Sequence, residues 1–359
     1  MKKTLTVLCL LAACHVAMAQ RLDYAVDFWY FFDNGEFAYS HDYFEPSGTT
    51  HAVALTPRIG VKFEKSSITH TFHAGLDFRK DMGDGKVPDA GEILLYYRFD
   101  DRISRKSSFS GILGAFPRSF SEGVYPTTFF SDYNHFADRF YEGAFFKYKT
   151  ERSYVELGLD WMGKKSETDR ERFQILSYGN FLLGGPFRLG YAARMYHFAG
   201  SGYEIGVVDN HMAHAFVEFR PALHDAYLSI TGGVIGTYQW DRRFADMKKF
   251  PFGALSTQEF RLGGWGVSNS FYFGQDLMPM FTWNNNLIMY GTRLYQGEMF
   301  YHTQIDGFSI YDAAELYYEW KPVRTLSVKA AITAHIGNPT AAFGFFRGWQ
   351  QVISVRYSF

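Results

Sequence analysis

The chain alternates apolar and polar side chains in segments of about ten residues, the length of a membrane-crossing β-strand. Val155 and Leu157 flank Glu156 in one such segment. Successive side chains of a strand point to opposite faces, so this pattern predicts strands with one apolar and one polar face. The sixteen segments with this pattern are 22–32, 52–64, 67–79, 92–100, 107–117, 140–149, 153–163, 172–182, 186–199, 209–220, 225–240, 255–263, 265–273, 310–320, 325–336 and 348–359.

The links between these segments alternate in length. The links after odd-numbered segments are mostly long, namely 33–51, 80–91, 118–139, 164–171, 200–208, 241–254 and 274–309. The links after even-numbered segments are mostly short, namely 65–66, 101–106, 150–152, 183–185, 221–224 and 321–324. Short turns on one side and long loops on the other are typical of an outer-membrane barrel with an even number of strands. The pair Gly263-Gly264 leaves open whether 255–273 contains a turn or a kink.

The last segment ends the chain on an aromatic residue. Val355, Tyr357 and Phe359 lie on one face of it, opposite Ser354 and Arg356. This ending resembles the C-terminal assembly signal of bacterial outer-membrane β-barrels. The resemblance implies that Val355, Tyr357 and Phe359 are read by the barrel-assembly machinery.

The first nineteen residues have the parts of a secretory signal. Lys2 and Lys3 are basic, Thr4 to Ala13 are mostly apolar, and Ala17-Met18-Ala19 matches a small-x-small cleavage pattern. We therefore expect a signal peptide over 1–19 and a single barrel domain over 20–359.

A second interpretation of the same segment stays open. Leu11 to Cys14 resembles a lipoprotein box, in which Cys14 is the acylated residue. The only other cysteine is Cys9. Cleavage after Ala19 leaves a mature chain without cysteine, which excludes disulfides and thiol chemistry.

Composition fits the same fold class. The chain has 37 Phe and 25 Tyr, yet its mean hydropathy is only −0.20. After the signal there is no apolar run of the roughly 18 residues that a transmembrane helix needs. A net charge of −1 without a long basic run argues against nucleic acid as a partner.

The expected fold is an all-β, transmembrane, antiparallel up-and-down β-barrel, most simply of sixteen strands, in the outer membrane of a Gram-negative-type envelope. Its outer face would contact membrane lipid and lipopolysaccharide, with aromatic residues at both interfaces. The alternative is a soluble antiparallel protein with one solvated face.

The polar faces of the strands predict the lumen. Arg or Lys on a lipid face costs about 2–4 kcal/mol at mid-bilayer, so charged side chains should point inward. The predicted inward residues are Arg58, Lys62, Asp77, Arg79, Arg98, Glu156, Asp160, Arg188, Arg194, Glu218, Glu259, Arg261, Glu315, Glu319, Lys329 and Arg356. Both signs together predict a hydrated interior that could set solute preference. The alternative is that these residues pair across strands and only stiffen the wall.

The long link 118–139 follows the fifth strand, where general porins carry a loop that folds inward and narrows the pore. This resemblance in position and length makes 118–139 a candidate constriction, although it lacks the compact acidic motif of such loops. The candidate residues are Glu122, Phe129, Phe130, Asp132 and Tyr133. An external cap or a contact with lipopolysaccharide is the alternative. No segment of a different period predicts a separate plug domain.

The longest link, 274–309, combines amides with large apolar groups. It contains Trp283 to Asn286 together with Met278, Met280 and Phe281. Such a mixture could stack on sugars, serve as a lid, or bind a partner.

Candidate catalytic groups are few. Asp209, His211 and His214 lie near the external end of one strand, and Asp with His at a barrel rim resembles the omptin proteases. The odd spacing of the two histidines places them on opposite faces, so they cannot share a metal ion. No catalytic residue, metal site or cofactor is therefore predicted.

The porin-like architecture implies a channel for passive diffusion of small hydrophilic solutes, saccharides among the candidates, and a homotrimer by analogy. Two alternatives remain. One is an outer-membrane enzyme of lipase or protease type at the barrel rim. The other is a closed structural barrel within a surface complex.

Overall fold

The computed structural model describes residues 21–38, 47–85, 89–243, 246–281, 290–339 and 344–359. Its strands are β1 (Arg21–Phe37), β2 (Gly48–Lys65), β3 (Ile68–Asp81), β4 (Asp89–Ser104), β5 (Ser107–Pro117), β6 (Phe140–Thr150), β7 (Ser153–Gly163), β8 (Arg172–Gly184), β9 (Phe187–Phe198), β10 (Val208–Phe219), β11 (Ala226–Asp241), β12 (Met247–Lys249), β13 (Phe252–Leu262), β14 (Trp265–Gly274), β15 (Ser309–Val323), β16 (Leu326–Gly337) and β17 (Phe346–Ser358). The signal segment 1–19, with Cys14 and Ala19, and the stretch 283–286 lie outside the described residues.

The strands form a closed antiparallel barrel. Apart from β12 and β13, each strand pairs with the next strand in sequence, and β1 pairs with both β2 and β17, which closes the sheet. β12 and β13 both pair with β11 and share one position in the wall, interrupted at Pro251. Pro251 has no N–H to donate to a ladder. Seventeen strands therefore form a sixteen-stranded wall, and the predicted fold and outer-membrane location are confirmed.

The short turns lie at one end of the barrel, which also holds the start of β1 and the end of β17. In an outer-membrane barrel this is the periplasmic end. Gly263 and Gly264 form the turn between β13 and β14, with Gly263 at φ +59°, so 255–273 holds two strands and not one kinked strand. Gly185, at φ +54°, has the same function between β8 and β9. Glycine suits both positions because it adopts positive φ without a Cβ clash.

The outer wall is apolar and has aromatic pairs near both ends. Trp265 packs on Tyr318 near the periplasmic end, with ring centroids 5.1 Å apart, and Phe273 packs on Phe308 near the external end at 5.3 Å. At the chain terminus, Phe359 lies 5.5 Å from Tyr24 on the outward face. No helix in the described part of the chain is long and apolar enough to cross a membrane.

The interior differs from the hydrated lumen that the sequence predicts. Its external and middle levels contain an aromatic core, in which the inward Tyr96, Tyr178 and Tyr196 are only 2–5% exposed. This core exists because two loops, 118–139 and the described parts of the second, 275–281 and 290–308, fold into the barrel and pack against the inner wall. The described residues contain one α-helix, α1 (Asp132–Ala137), which lies in the first of these loops.

Candidate functional site

The loop 118–139 is fixed inside the barrel by ion pairs at both of its ends. Arg118 bridges Asp138 within the loop and Asp160 on β7, with N–O distances of 2.6 and 2.5 Å. At the other end, Arg139 pairs with Asp77 on β3 at 2.5 Å. The wall carboxylates are only 3–4% exposed. Buried charges of this kind persist only when paired, so the loop and the wall depend on each other.

The start of the loop wraps around a third buried carboxylate. Glu156 on β7 accepts the backbone N–H groups of Glu122 and Gly123, each at 2.9 Å, and the hydroxyl of Ser121. A Cβ at Gly123 would lie 2.3 Å from the Glu156 Oε1 atom, so glycine is required for this close approach.

Glu122 turns the other way, toward two lysines. Lys147 and Lys149 on β6 each donate to it at 2.8 Å. Partial burial alone would raise the pKa of Glu122, but the hydrogen bonds from the two lysines lower it below its usual value of 4.5. Glu122 therefore stays ionised at neutral pH and ties the loop to β6.

The two internal loops bind each other. Ser131 N–H donates to the Gln296 carbonyl and Glu298 N–H donates to the Thr127 carbonyl, both at 2.9 Å. The hydroxyls of Thr127 and Tyr301 lie 3.0 Å apart. These bonds join segments that are more than 160 residues apart in sequence.

Apolar side chains seal the loops against the wall. Phe129 and Phe130 are 0% and 8% exposed, and the Arg194 guanidinium on β9 donates to the Phe129 carbonyl at 2.9 Å. Met278, Met280 and Phe281 of the second loop are at most 1% exposed. These last three therefore belong to the core and cannot form the exposed sugar-stacking surface considered above.

Space remains between the wall of the barrel and its internal loops. An external cavity of about 320 Å³ lies between the external ends of β1 and β2 and the two loops. A lower cavity of about 370 Å³ extends toward the periplasmic end, and Asp132, Glu298 and Gln350 line both cavities. A third cavity, of about 430 Å³, lies beneath α1 and reaches Arg356.

The external cavity is acidic. Asp33, Asp132 and Glu298 line it, and none of its described lining residues is Lys or Arg. Tyr133, which is 44% exposed, lies beside Asp132 in the same lining. The lower cavity has charges of both signs, since Lys329, Arg220, Glu218, Glu259 and Glu315 all line it.

The sixteen inward candidates fall into two groups in the structure. Asp77, Glu156, Asp160 and Arg194 hold the loop 118–139. The others follow the inward faces of the strands, most of them in polar contacts along the wall: Arg58 with Asp27, Arg79 with Asp81, Arg98 with Asp100, Arg188 with Asn180, Glu218 with Arg220, Glu259 with Arg261, Lys329 with Glu315, Glu319 with Lys321, Arg356 over Trp29, and Lys62 near the periplasmic end. Their role in solute passage stays a prediction.

A polar pair that the sequence does not reveal lies on the outside of the barrel. His197 on β9 and Asp209 on β10 are direct cross-strand partners, and the His197 Nδ1 atom is 2.7 Å from the Asp209 Oδ1 atom. Arg242 also binds Asp209. All three lie at the external rim. The sequence alone could not indicate this pair, because it depends on the register between β9 and β10 on either side of the link 199–207.

The neighbouring surface of this rim is aromatic and basic. Trp240 lies beneath Arg242 and Lys248, with distances of 4.4 and 4.7 Å from the cations to the ring centroid. His211 points outward beside Tyr238, and the buried His214 points inward. The outward His211 therefore belongs to the rim, whereas His214 belongs to the lumen.

The comparisons with known proteins agree on an outer-membrane barrel. The sequence profile of a family described as lipid A 3′-O-deacylase-type matches residues 14–214, more than half of the chain. No curated protein matches the chain. The fold resembles a loop-deletion mutant of OmpT, an outer membrane protein of Vibrio cholerae, with 11% identity and a TM-score of 0.55, over 95% of this chain and 100% of that chain.

Two further solved structures are similar. In-vitro folded OmpT of Vibrio cholerae in its trimer form has 10% identity and a TM-score of 0.53, over 95% of this chain and 100% of that chain. An anion-selective porin from Comamonas acidovorans has 12% identity and a TM-score of 0.52, with the same two coverages. At these identities the likeness shows the fold alone.

Proposed function

The chain belongs to the lipid A 3′-O-deacylase-type family, and we propose from the geometry of its lumen and from its fold that this member is a narrow, porin-like channel for small hydrophilic solutes. The observation that carries the proposal is that Asp132, Glu298 and Gln350 line both the external cavity and the lower cavity. A solute that enters the external cavity, beside the external ends of β1 and β2, would pass these three residues before it reaches the lower lumen. The loop 118–139 forms one side of the narrow point.

The chemistry of this route favours cations and neutral polar solutes. Asp33, Asp132 and Glu298 give the external cavity a negative potential, which attracts cations and repels anions. Phe37 and Phe300 line the same cavity, and rings next to acceptors suit the apolar faces of saccharides. Passage is passive and requires no cofactor.

The first prediction tests this route by its charge. Purified protein in a planar bilayer should give stable ohmic steps, and the reversal potential in a salt gradient should show preference for cations. Asp132→Asn and Glu298→Gln should each move that potential toward zero, because each removes one acidic group from the narrow point. Glu167→Gln, in an exposed external loop, is the matched control and should leave the potential unchanged. A silent bilayer from folded protein would contradict the channel and favour a closed barrel.

A second function is favoured by a specific observation, the outward pair His197 and Asp209. We propose that this pair can act on lipid A in the outer leaflet, where the rim faces its ester bonds. Asp209 orients the His197 ring, whose Nε2 atom would then take a proton from an attacking water. The water oxygen would add to the ester carbonyl carbon, the acyl C–O bond would break, and the proton held by His197 would pass to the leaving alkoxide, which gives a fatty acid and a hydroxyl. No serine or threonine hydroxyl hydrogen-bonds to either described side chain, so water is the nucleophile assigned.

The second prediction concerns fatty-acid release from purified lipid A, measured by mass spectrometry. His197→Gln should lower the rate by about a hundredfold or more, the usual contribution of a general base. Asp209→Asn should lower it as well, because the ring loses its orientation. His224→Gln replaces an exposed histidine in a periplasmic turn and should have no effect. Equal rates of fatty-acid release by the wild-type and His197→Gln proteins would contradict a catalytic role for the His197–Asp209 pair.

A further inference from the structure

Four polar side chains lie on the lipid-facing surface of the barrel. Asn269 on β14 lies between Val267 and Phe271, which share its outward face and are 50% and 40% exposed. Asp312 on β15 lies between Tyr311 and Ala313, which both pack in the interior. Alternation therefore directs Asp312 outward. We call Ser256, Gln258, Asn269 and Asp312 the polar strip.

The strip is continuous across three strands. Gln258 on β13 is the register partner of Asn269. The Asn269 amide donates to the Asp312 Oδ1 atom at 2.7 Å, and the Gln258 amide donates to the Ser256 hydroxyl. In the part of the chain that the structure describes, Asn269 is the one hydrogen-bond donor to the Asp312 carboxylate. The strip therefore retains acceptors and donors that its own barrel does not fully satisfy.

The strip lies inside the apolar belt and not at its edge. On β13 it is bracketed by the outward Phe252 and Phe260, which are 55% and 44% exposed. On the opposite wall the corresponding belt is apolar; its exposed residues include Phe72, Leu76, Ile93, Leu95 and Leu113. Polar and ionisable groups in contact with lipid are costly, and an intramembrane carboxylate normally has a protein partner.

The surface around the strip is shallow. A Cβ added at Gly232 would meet nothing within 4 Å, and the neighbouring outward positions include Ala254, Ala314 and Ala334. Small residues of this kind let another protein backbone approach closely within a membrane. Hydrogen bonds to the strip are then possible without removing large side chains.

From these observations we infer that the outward face of β13–β15, centred on the polar strip, binds a second copy of this chain. Copies of one barrel sit at the same height in the membrane, so their strips lie at equal depth. Each strip carries a carboxylate acceptor and two amide groups, so one copy can donate to the acceptors of the next. A rotation axis along the membrane normal produces a closed oligomer such as a trimer. This interface does not depend on whether the lumen conducts.

The third prediction is that the protein is an oligomer that the strip maintains. In mild detergent, native mass spectrometry should show more than one copy per particle. The double variant Asp312→Leu with Gln258→Leu should give folded monomers, because it replaces the interface hydrogen bonds with a lipid-compatible surface. Folding is checked by the shift in gel mobility on heating. His70→Leu replaces an outward polar residue on the opposite wall, bonded to Tyr97, and should leave the oligomer intact.

Cross-linking in native membranes tests the partner. After replacement of the two natural cysteines by serine, Ala314→Cys should join copies through a short bis-maleimide, whereas Leu95→Cys on the opposite wall should not. A monomeric wild-type protein would overturn the inference. So would equal cross-linking from both positions, or a product in which Ala314→Cys is joined to a different protein.

Discussion

Replacing Gly297 by alanine should raise the single-channel conductance by about twofold or more, because it separates the two loops that fill the lumen. Gly297 is packed against the other loop: an added Cβ would lie 2.1 Å from the Thr128 carbonyl oxygen and 2.9 Å from that of Thr127. These are backbone atoms and cannot move aside as a side-chain end can. The Glu298 bond to the Thr127 carbonyl would therefore break, and the passage at Asp132 would widen.

The conductance of this variant is measured in a planar bilayer beside that of Gly344→Ala. Gly344 lies in an external loop, where an added Cβ meets nothing within 4 Å. Gly344→Ala is therefore the same glycine-to-alanine replacement without a steric clash. Gly344→Ala should conduct like the wild type. Unchanged conductance of Gly297→Ala would mean that the loop contact does not control the passage, which would contradict the proposed route.

The wall of this barrel could be predicted from sequence because its signals are local. Side-chain alternation determines the strands, and the alternation of link lengths determines their order and sidedness. Even the choice between a turn and a kink at Gly263 depends on one residue with positive φ. The closing of β17 on β1 follows once the strand count is even.

The contents of the lumen could not be predicted in the same way. The contact between Asn134 and Gln296 joins residues 162 positions apart, and no local pattern indicates it. Inward Tyr178 and Tyr196 are also ambiguous in sequence, since aromatics in a barrel are expected in the interface belts. They became core residues because the two loops pack on them: the Tyr125 ring centroid lies 5.7 Å from that of Tyr178, and the Tyr196 hydroxyl donates to the Arg293 carbonyl at 2.8 Å.

The outer-surface sites were hidden for a related reason. His197 and Asp209 are twelve residues apart, and only the β9–β10 register makes them neighbours. Asn269 and Asp312 are further apart still, at 43 positions. A polar residue in a strand is assigned inward by default, and three-dimensional contacts are needed to identify those that face lipid.

Replacing Arg118 by leucine should release the loop 118–139 from the wall. Arg118 pairs with Asp138 and Asp160 and lies 4.4 Å from the Tyr141 ring centroid. Removing one partner of a buried ion pair costs about 3 kcal/mol or more, because it leaves the other charge unpaired. Asp160 keeps hydrogen bonds from Gln174 and from the Glu142 N–H, so we expect the lower end of that range.

Chymotrypsin cleavage of the folded barrel in detergent measures this release, because the loop is rich in Phe and Tyr. The cleavage rate follows the open population, so a cost of about 3 kcal/mol should raise it by about a hundredfold. Lys106→Leu removes an exposed pair with Glu151, at 3.5 Å and 76% side-chain exposure of the lysine, and should leave the rate unchanged. If Arg118→Leu were as protected as Lys106→Leu, the ion pairs would not hold the loop. The position of the loop in the lumen would then depend only on the packing of Phe129 and Phe130 and on the hydrogen bonds to the second loop.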